Sequence, residues 1–193
     1  MMIFLILAPF GAFAGLMLVA SATVSLFAGA GVAAATIAYD VARGGSVKIL
    51  ATGSVILFSA LGCYVTFIDS SWSSPTIRLA VDSGVLAIAL LSIAARFPFT
   101  LQYAREVVDA ETTRMPGFIR ANYIITGAWT AAFLLMVITN VVMIYLPGLP
   151  LWAGLAIALA ARNSAALFTK WYPRHRREMA AKRSLSGGMI SAS

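Results

Sequence analysis

The sequence has little of the chemistry on which enzymes and metal sites depend. Its 193 residues include one cysteine, Cys63, one histidine, His175, and only seven acidic residues. A single cysteine excludes a disulfide within the chain, and one cysteine with one histidine cannot supply an ordinary zinc site. The sequence also has no Gly-x-Ser-x-Gly elbow and no phosphate-binding Gly-Lys-Ser/Thr loop. We therefore expect no enzymatic activity, no cofactor and no bound metal.

Charged residues of both signs are scarce as well. They make up 11% of the chain, whereas a soluble domain usually carries about 25%. Hydrophobic residues make up 61%, which is more than a soluble protein could cover with a polar surface. The composition therefore predicts an all-α, polytopic integral membrane protein, built as a bundle of transmembrane helices.

The apolar runs predict about six transmembrane helices in one membrane domain, residues 1–170. A helix needs about 20 apolar residues to cross a hydrocarbon core of roughly 30 Å. The first 39 residues carry no charge and fit two short spans, although a shallow hairpin or, less well, a signal peptide is an alternative. The predicted spans are residues 3–20, 23–39, 49–68, 77–95, 122–146 and 151–168.

The basic residues, which give a formal net charge of +7, fall in alternate loops. None lies in the loops after the third and fifth predicted spans. Because cytoplasmic loops collect Lys and Arg, this distribution predicts six spans in the inner (plasma) membrane with both termini in the cytoplasm. The loop residues that follow the second and fourth spans are Arg43 and Lys48, then Arg96, Arg105, Arg114 and Arg120.

Five charged or amide residues in the predicted spans are candidate site residues, because charge inside a membrane is costly and by default indicates function. Asp82 and Asn140 lie at similar depths, and Arg162 lies nearer the middle, so the three could meet in the bundle interior. One interpretation is a polar site for a solute. The other is structural: Arg78 pairs with Asp82 one turn away, while Arg162 snorkels or bonds to buried carbonyls. The five residues are Arg78, Asp82, Asn140, Arg162 and Asn163.

Residues 96–120 connect the fourth and fifth spans and hold three of the seven acidic residues. Apolar residues recur here at helical spacing, which predicts a short amphipathic helix on the cytoplasmic surface, ended before Pro116. We interpret the acidic residues, including Glu111, as a solvated cluster, with Arg105 paired to Asp109. The predicted docking surface is Phe97, Leu101, Tyr103, Arg105, Glu106 and Asp109.

The tail, residues 171–193, is strongly basic and is predicted to be cytoplasmic and partly disordered. Its start is predicted to rest on anionic lipid headgroups. Membrane lipids are therefore the expected partners, with a second copy of the chain or other membrane proteins as further candidates, and nucleic acid is not expected. The predicted headgroup residues are Lys170, Trp171, Arg174, Arg176 and Arg177.

The order of several features is familiar. An apolar hairpin with Pro9 precedes a basic turn, and the fifth span carries Trp129 and Asn140 before ending in Tyr-Leu-Pro. The string PFTLQYARE, Pro98 to Glu106, follows the fourth span. This order resembles the intracellular septation protein A family of bacterial inner-membrane proteins and its relatives.

The resemblance implies a non-enzymatic protein that supports the cell envelope or septation through contacts in the membrane. The alternative is a small homodimeric transporter or channel with a polar site around Asp82, Asn140 and Arg162. A third, weaker hypothesis is a lipid-modifying enzyme with its site at the inner interface, around residues 106–120.

Overall fold

The computed structural model describes residues 2–146, 148 and 150–190, and this part of the chain contains helices and no strands. The prediction of an all-α protein is therefore confirmed. The helices are α1 Met2–Leu16, α2 Ala22–Ala42, α3 Ile49–Phe67, α4 Ser74–Ala94, α5 Phe99–Arg105, α6 Ala110–Arg114, α7 Pro116–Tyr145 and α8 Leu151–Ile190.

Four of these helices are long and apolar enough to cross a membrane. They are α2, α3, α4 and α7, with 21, 19, 21 and 30 residues. At about 1.5 Å per residue, each reaches close to or beyond the roughly 30 Å of a hydrocarbon core. The chain is thus a membrane protein with several apolar helices.

The first helix is shorter than its predicted span. α1 has 15 residues and ends at Leu16, while the prediction extended to residue 20. The break before α2 lies where the sequence predicted it, because Ser21 caps the next helix: its hydroxyl accepts the backbone N–H of Val24 at 3.3 Å. A serine in this position satisfies an amide that the first turn leaves without a partner.

The last two long helices extend beyond their predicted spans. α7 begins at Pro116, since proline at the first position of a helix loses no hydrogen bond there. α8 continues through Pro173 to Ile190, whereas the sequence predicted disorder toward the end. Stacked rings one turn apart accompany the helix past Pro173: Phe168 with Tyr172, and Trp171 with His175. Residues 191–193 of the predicted disordered tail lie outside the described residues.

Helices that are neighbours in sequence pack side by side in the order α1, α2, α3, α4, and α7 then packs on α4 and α8 on α7. Small residues allow close approach between α2 and α3. A Cβ at Gly29 would lie 3.1 Å from the ring of Phe58, and one at Gly62 would lie 3.1 Å from the ring of Phe27. Such contacts hold apolar helices together where lipid supplies no hydrophobic driving force.

The segment between α4 and α7 is folded against the bundle. α4 ends in a Schellman motif, in which the N–H of Phe97 bonds to the carbonyl of Ser92 and Arg96 has a left-handed φ of 57°. This turn directs α5 back onto α4 and α7, where Phe99 and Leu101 are fully buried. The predicted single surface helix is therefore wrong: two short helices form here, and the first is part of the core. We call this end of the bundle, with α5, α6 and the loop of residues 43–48, the connector end.

Candidate functional site

The intramembrane cluster, which we define as Asp82, Asn140 and Arg162, joins three helices. The Asn140 amide donates a hydrogen bond of 2.7 Å to Oδ2 of Asp82. The guanidinium of Arg162 lies 3.7 Å from the other carboxylate oxygen. Asp82 is only 9% exposed. The cluster therefore ties α4 to both α7 and α8 through one buried carboxylate.

Two of the predicted intramembrane residues do not belong to this cluster. Within the described chain no ion pair joins Arg78 to Asp82, because the carboxylate is engaged by Arg162 and Asn140 instead. The predicted Arg78–Asp82 pair and the snorkelling of Arg162 are thus wrong. Asn163 is exposed, since one helical step turns its side chain about 100° from that of Arg162.

A small cavity adjoins the intramembrane cluster. It has a volume of about 70 Å³ and is lined by the three cluster residues, Arg78 and apolar side chains such as Phe13. One water needs about 10–15 Å³ of such space, so the cavity has room for a few waters. Its wall holds two arginines and one carboxylate, which leaves an excess of positive charge.

The connector cluster, which we define as Asp40, Lys48 and Glu106, is built around a buried lysine. Lys48 is 2% exposed, and its Nζ lies 2.6 Å from Asp40 and 3.2 Å from Glu106. The ammonium also donates to the Ser46 carbonyl at 3.3 Å and lies 5.1 Å from the centre of the Tyr103 ring. A buried cation needs such a set of partners, because an unpaired charge in this position is strongly destabilising.

Further hydrogen bonds attach the connector to the start of α3. Glu106 accepts from the backbone N–H of Ser46 at 3.0 Å and from its hydroxyl at 3.1 Å. The Gln102 side chain accepts the backbone N–H of Ile49 at 2.8 Å, at the first turn of α3. The connector end is therefore a polar junction of α2, α3 and α5 rather than a loose loop.

The pKa values at the connector end reflect this junction. Partial burial works to raise the pKa of Glu106, but the hydrogen bonds from Ser46 and the ammonium of Lys48 outweigh it and hold the pKa below its usual value. Burial, with the nearby carboxylates of Asp40 and Glu106, raises the pKa of Tyr103. Glu106 therefore stays ionised and Tyr103 stays protonated around neutral pH.

The predicted docking surface is exposed at four of its six residues and buried at the other two. Leu101 and Tyr103 are buried, and Glu106 is engaged with Lys48. Asp109 accepts the N–H of Thr112 at 2.7 Å as the cap of α6, and no described ion pair joins it to Arg105. Arg105 instead lies over the half-exposed ring of Phe97, 5.2 Å from its centre. Of the six residues, Phe97, Arg105, Glu106 and Asp109 are exposed, and the first two lie against each other.

The predicted headgroup residues all lie exposed on α8. Arg176 differs from the others because its guanidinium donates to the carbonyl of Gly117 at 2.8 Å, which joins α8 to the start of α7. Their binding to lipid remains a prediction.

Sequence reasoning missed the central role of Lys48 and Asp40, which it treated only as loop residues. One signal was present: Lys48 directly precedes an apolar span, and Asp40 lies eight residues before it across a Gly-Gly turn. Gln102 had no such signal, since nothing in the sequence shows that α5 folds back onto α3. Comparison of the chain with protein-family models, curated proteins and solved structures finds no match.

Proposed function

We propose that the chain is a non-enzymatic protein of the bacterial inner membrane that supports the cell envelope through contacts with proteins or lipids. The observation that carries this proposal is the use of the acidic side chains. Five of the seven make structural contacts, namely Asp40, Asp69, Asp82, Glu106 and Asp109. A carboxylate held by a cation or a helix cap is a poor general base, because its charge is already stabilised.

The proposed topology has six crossings, with α1 and α8 completing the four long apolar helices and both termini in the cytoplasm. The arrangement of basic segments supports it. The loop with Lys48 meets the connector through Glu106, and α8 meets the start of α7 through Arg176. Three segments rich in Lys and Arg thus lie at one end of the bundle, as expected for the cytoplasmic side.

This topology leaves a definite face for partners. The Phe97–Arg105 pair and the basic segment of α8, residues 170–177, are exposed features of the connector end. An exposed ring beside a cation, near a basic helix, fits anionic headgroups or the acidic juxtamembrane segment of another membrane protein.

Deletion of the gene from its own bacterium tests the proposal. We expect altered cell length or greater sensitivity to detergent, restored by the wild-type gene. A double charge reversal of the exposed face, Arg105→Glu with Arg174→Glu, should express normally but fail to restore the phenotype. The matched control keeps both charges, as Arg105→Lys with Arg174→Lys, and it should restore cell length and detergent resistance. Full rescue by the reversed variant would contradict a role for this face.

A second candidate function is passage of a small ion, and the cavity beside the intramembrane cluster is the observation that favours it. At about 70 Å³ it is far below the 300–1,000 Å³ typical of sites for organic ligands. Its excess of positive charge favours an inorganic anion. Proteoliposomes loaded with chloride or nitrate test this: flux through the wild type that is lost in Arg162→Gln would support passage. If the proteoliposomes release the anion no faster than protein-free liposomes, the intramembrane cluster has a structural role only.

A further inference from the structure

A separate cavity of about 320 Å³ lies at the connector end, between α5, α7 and α8. Its wall is mainly apolar, with Ala104 and Val107 from the connector, Ile125 and Trp129 from α7, and Pro173 from α8. The volume falls in the range of small-molecule sites, which begins at about 300 Å³. The cavity is thus large enough for a flexible apolar chain and too small for a peptide helix.

Most polar groups in this wall are bonded within the protein. The indole N–H of Trp129 donates to the hydroxyl of Thr169 at 2.9 Å. The hydroxyl of Thr100 donates to the carbonyl of Asn122 at 3.0 Å, and the Asn122 amide donates to the carbonyl of Phe118. These groups need nothing from a ligand, so the central part of the cavity presents an apolar surface.

Two polar side chains in the wall are different. The hydroxyl of Tyr103 makes no hydrogen bond within the described part of the chain, but that oxygen is not itself buried, so it needs no partner from outside. Arg177 is exposed at the rim, and no acidic residue of the described chain pairs with it. Arg177 is therefore the polar side chain of this wall that can meet an anionic ligand.

The charge of the lining is all of one sign. Arg177 is its one charged residue, and no Asp or Glu lines the cavity. The neighbouring Arg174 does not line the cavity, and Arg176 donates to the carbonyl of Gly117 instead. An apolar interior below a cationic rim is complementary to an amphiphile with an apolar chain and an anionic head, and anionic lipids of the inner leaflet have that chemistry.

We propose that this cavity binds one acyl chain of an anionic phospholipid, with the lipid phosphate on Arg177. Binding at this site is more specific than the general contact of a basic tail with a membrane surface. It selects a lipid molecule by a fitted pocket, and it connects α5, α7 and α8 through that lipid. It rests on the topology proposed above, which puts the connector end at the inner leaflet, but not on the role in the cell envelope proposed there.

Native mass spectrometry of the full chain tests the proposal with phosphatidylglycerol and phosphatidylcholine of identical acyl chains. We expect one phosphatidylglycerol to be retained in preference to phosphatidylcholine. Arg177→Gln should reduce that preference about fivefold, as expected from roughly 1 kcal/mol per basic contact near a membrane surface. Arg174→Gln is the matched control, because Arg174 lies on the same helix but does not line the cavity, and it should leave the preference unchanged.

The acyl chain is tested separately. In a variant whose only tryptophan is Trp129, a phosphatidylglycerol with a brominated chain should quench the fluorescence at one lipid per protein. The double variant Ala104→Trp, Trp129→Phe should fill the cavity with a bulky ring. Native mass spectrometry should then show that it no longer retains phosphatidylglycerol. If Arg177→Gln and Arg174→Gln reduce the preference for phosphatidylglycerol equally, the proposed site is overturned, and a general attraction of anionic lipids to the basic helix explains the binding. If no quenching occurs at one lipid per protein, the proposed site is overturned. This result does not depend on whether the Ala104→Trp variant folds.

Discussion

The connector cluster and the intramembrane cluster use the same kinds of group, but they are packed differently. Lys48 is enclosed and lies within 3.2 Å of two carboxylates. Arg162 lies 3.7 Å from a single carboxylate and borders a cavity of about 70 Å³. An enclosed charge has no water to replace a lost partner, whereas a charge beside a cavity has. The first cluster therefore fixes the fold, and the second has room to rearrange.

The largest effect is expected for Lys48→Met. The change leaves Asp40 and Glu106 without their shared cation, and breaking a buried pair costs about 3–5 kcal/mol. Both carboxylates are partly exposed, so we expect about 3 kcal/mol, measured as the loss of unfolding free energy in detergent. Lys170→Met, at an exposed position, is the control and should change it by less than about 0.5 kcal/mol. If Lys48→Met and Lys170→Met lose the same unfolding free energy, the enclosed lysine is no more important for stability than the exposed one.

Asp82→Asn should cost less than Lys48→Met, about 1–2 kcal/mol, because water in the cavity can solvate Arg162. The same unfolding measurement checks it, with Asn163→Ala as the control at the next, exposed residue of α8. A cost equal to that of Lys48→Met would mean that the cavity is dry and that the two clusters do not differ in this respect.

The acid limb of stability should depend on Glu106. Its pKa is lower in the folded protein than in the unfolded chain, so its contribution is present above the unfolded value, about 4.3. That contribution is lost as pH falls through the lower, folded pKa. Thermal melts between pH 6 and the acid limit should therefore flatten in Glu106→Gln. Glu111→Gln is the matched control, and a curve that flattens equally there would show that Glu106 is not the group responsible.

The smallest effect is expected for Arg78→Gln. Arg78 lines the same cavity but is not the ion-pair partner of Asp82. We expect a change in unfolding free energy within about 0.5 kcal/mol, as for positions away from special contacts. A loss as large as that of Asp82→Asn would show that the predicted Arg78–Asp82 pair forms in the membrane after all.

Patterns local in sequence were predicted well. The apolar runs predicted the positions of α2, α3 and α4 to within a few residues, because length and hydropathy decide which segments can form membrane helices. The depth of Asp82 and Asn140 followed from the rise per residue, and the two side chains do meet. These successes rest on one-dimensional distances along single helices.

Contacts between distant segments were predicted poorly. Spacing favoured Arg78 as the partner of Asp82, but α8 brings Arg162 to the carboxylate from 80 residues away. The apolar face of the connector predicts a helix on the membrane surface, yet α5 is buried against α4 and α7. An amphipathic pattern tells that a face must be covered; it does not tell whether lipid or protein covers it.

The sequence by itself determined that this protein is all-helical and belongs in a membrane, since its charged residues are too few to cover the surface of a soluble protein. It also determined where α2, α3 and α4 begin and end to within a few residues, through Ser21 and the polar turns between these helices. Only the tertiary structure decided that Lys48 is enclosed by Asp40 and Glu106, and that a cavity forms beside Tyr103 and Arg177. The physical reason is that the burial and pairing of a side chain depend on which helices become neighbours. Close packing of small residues between helices decides which helices are neighbours.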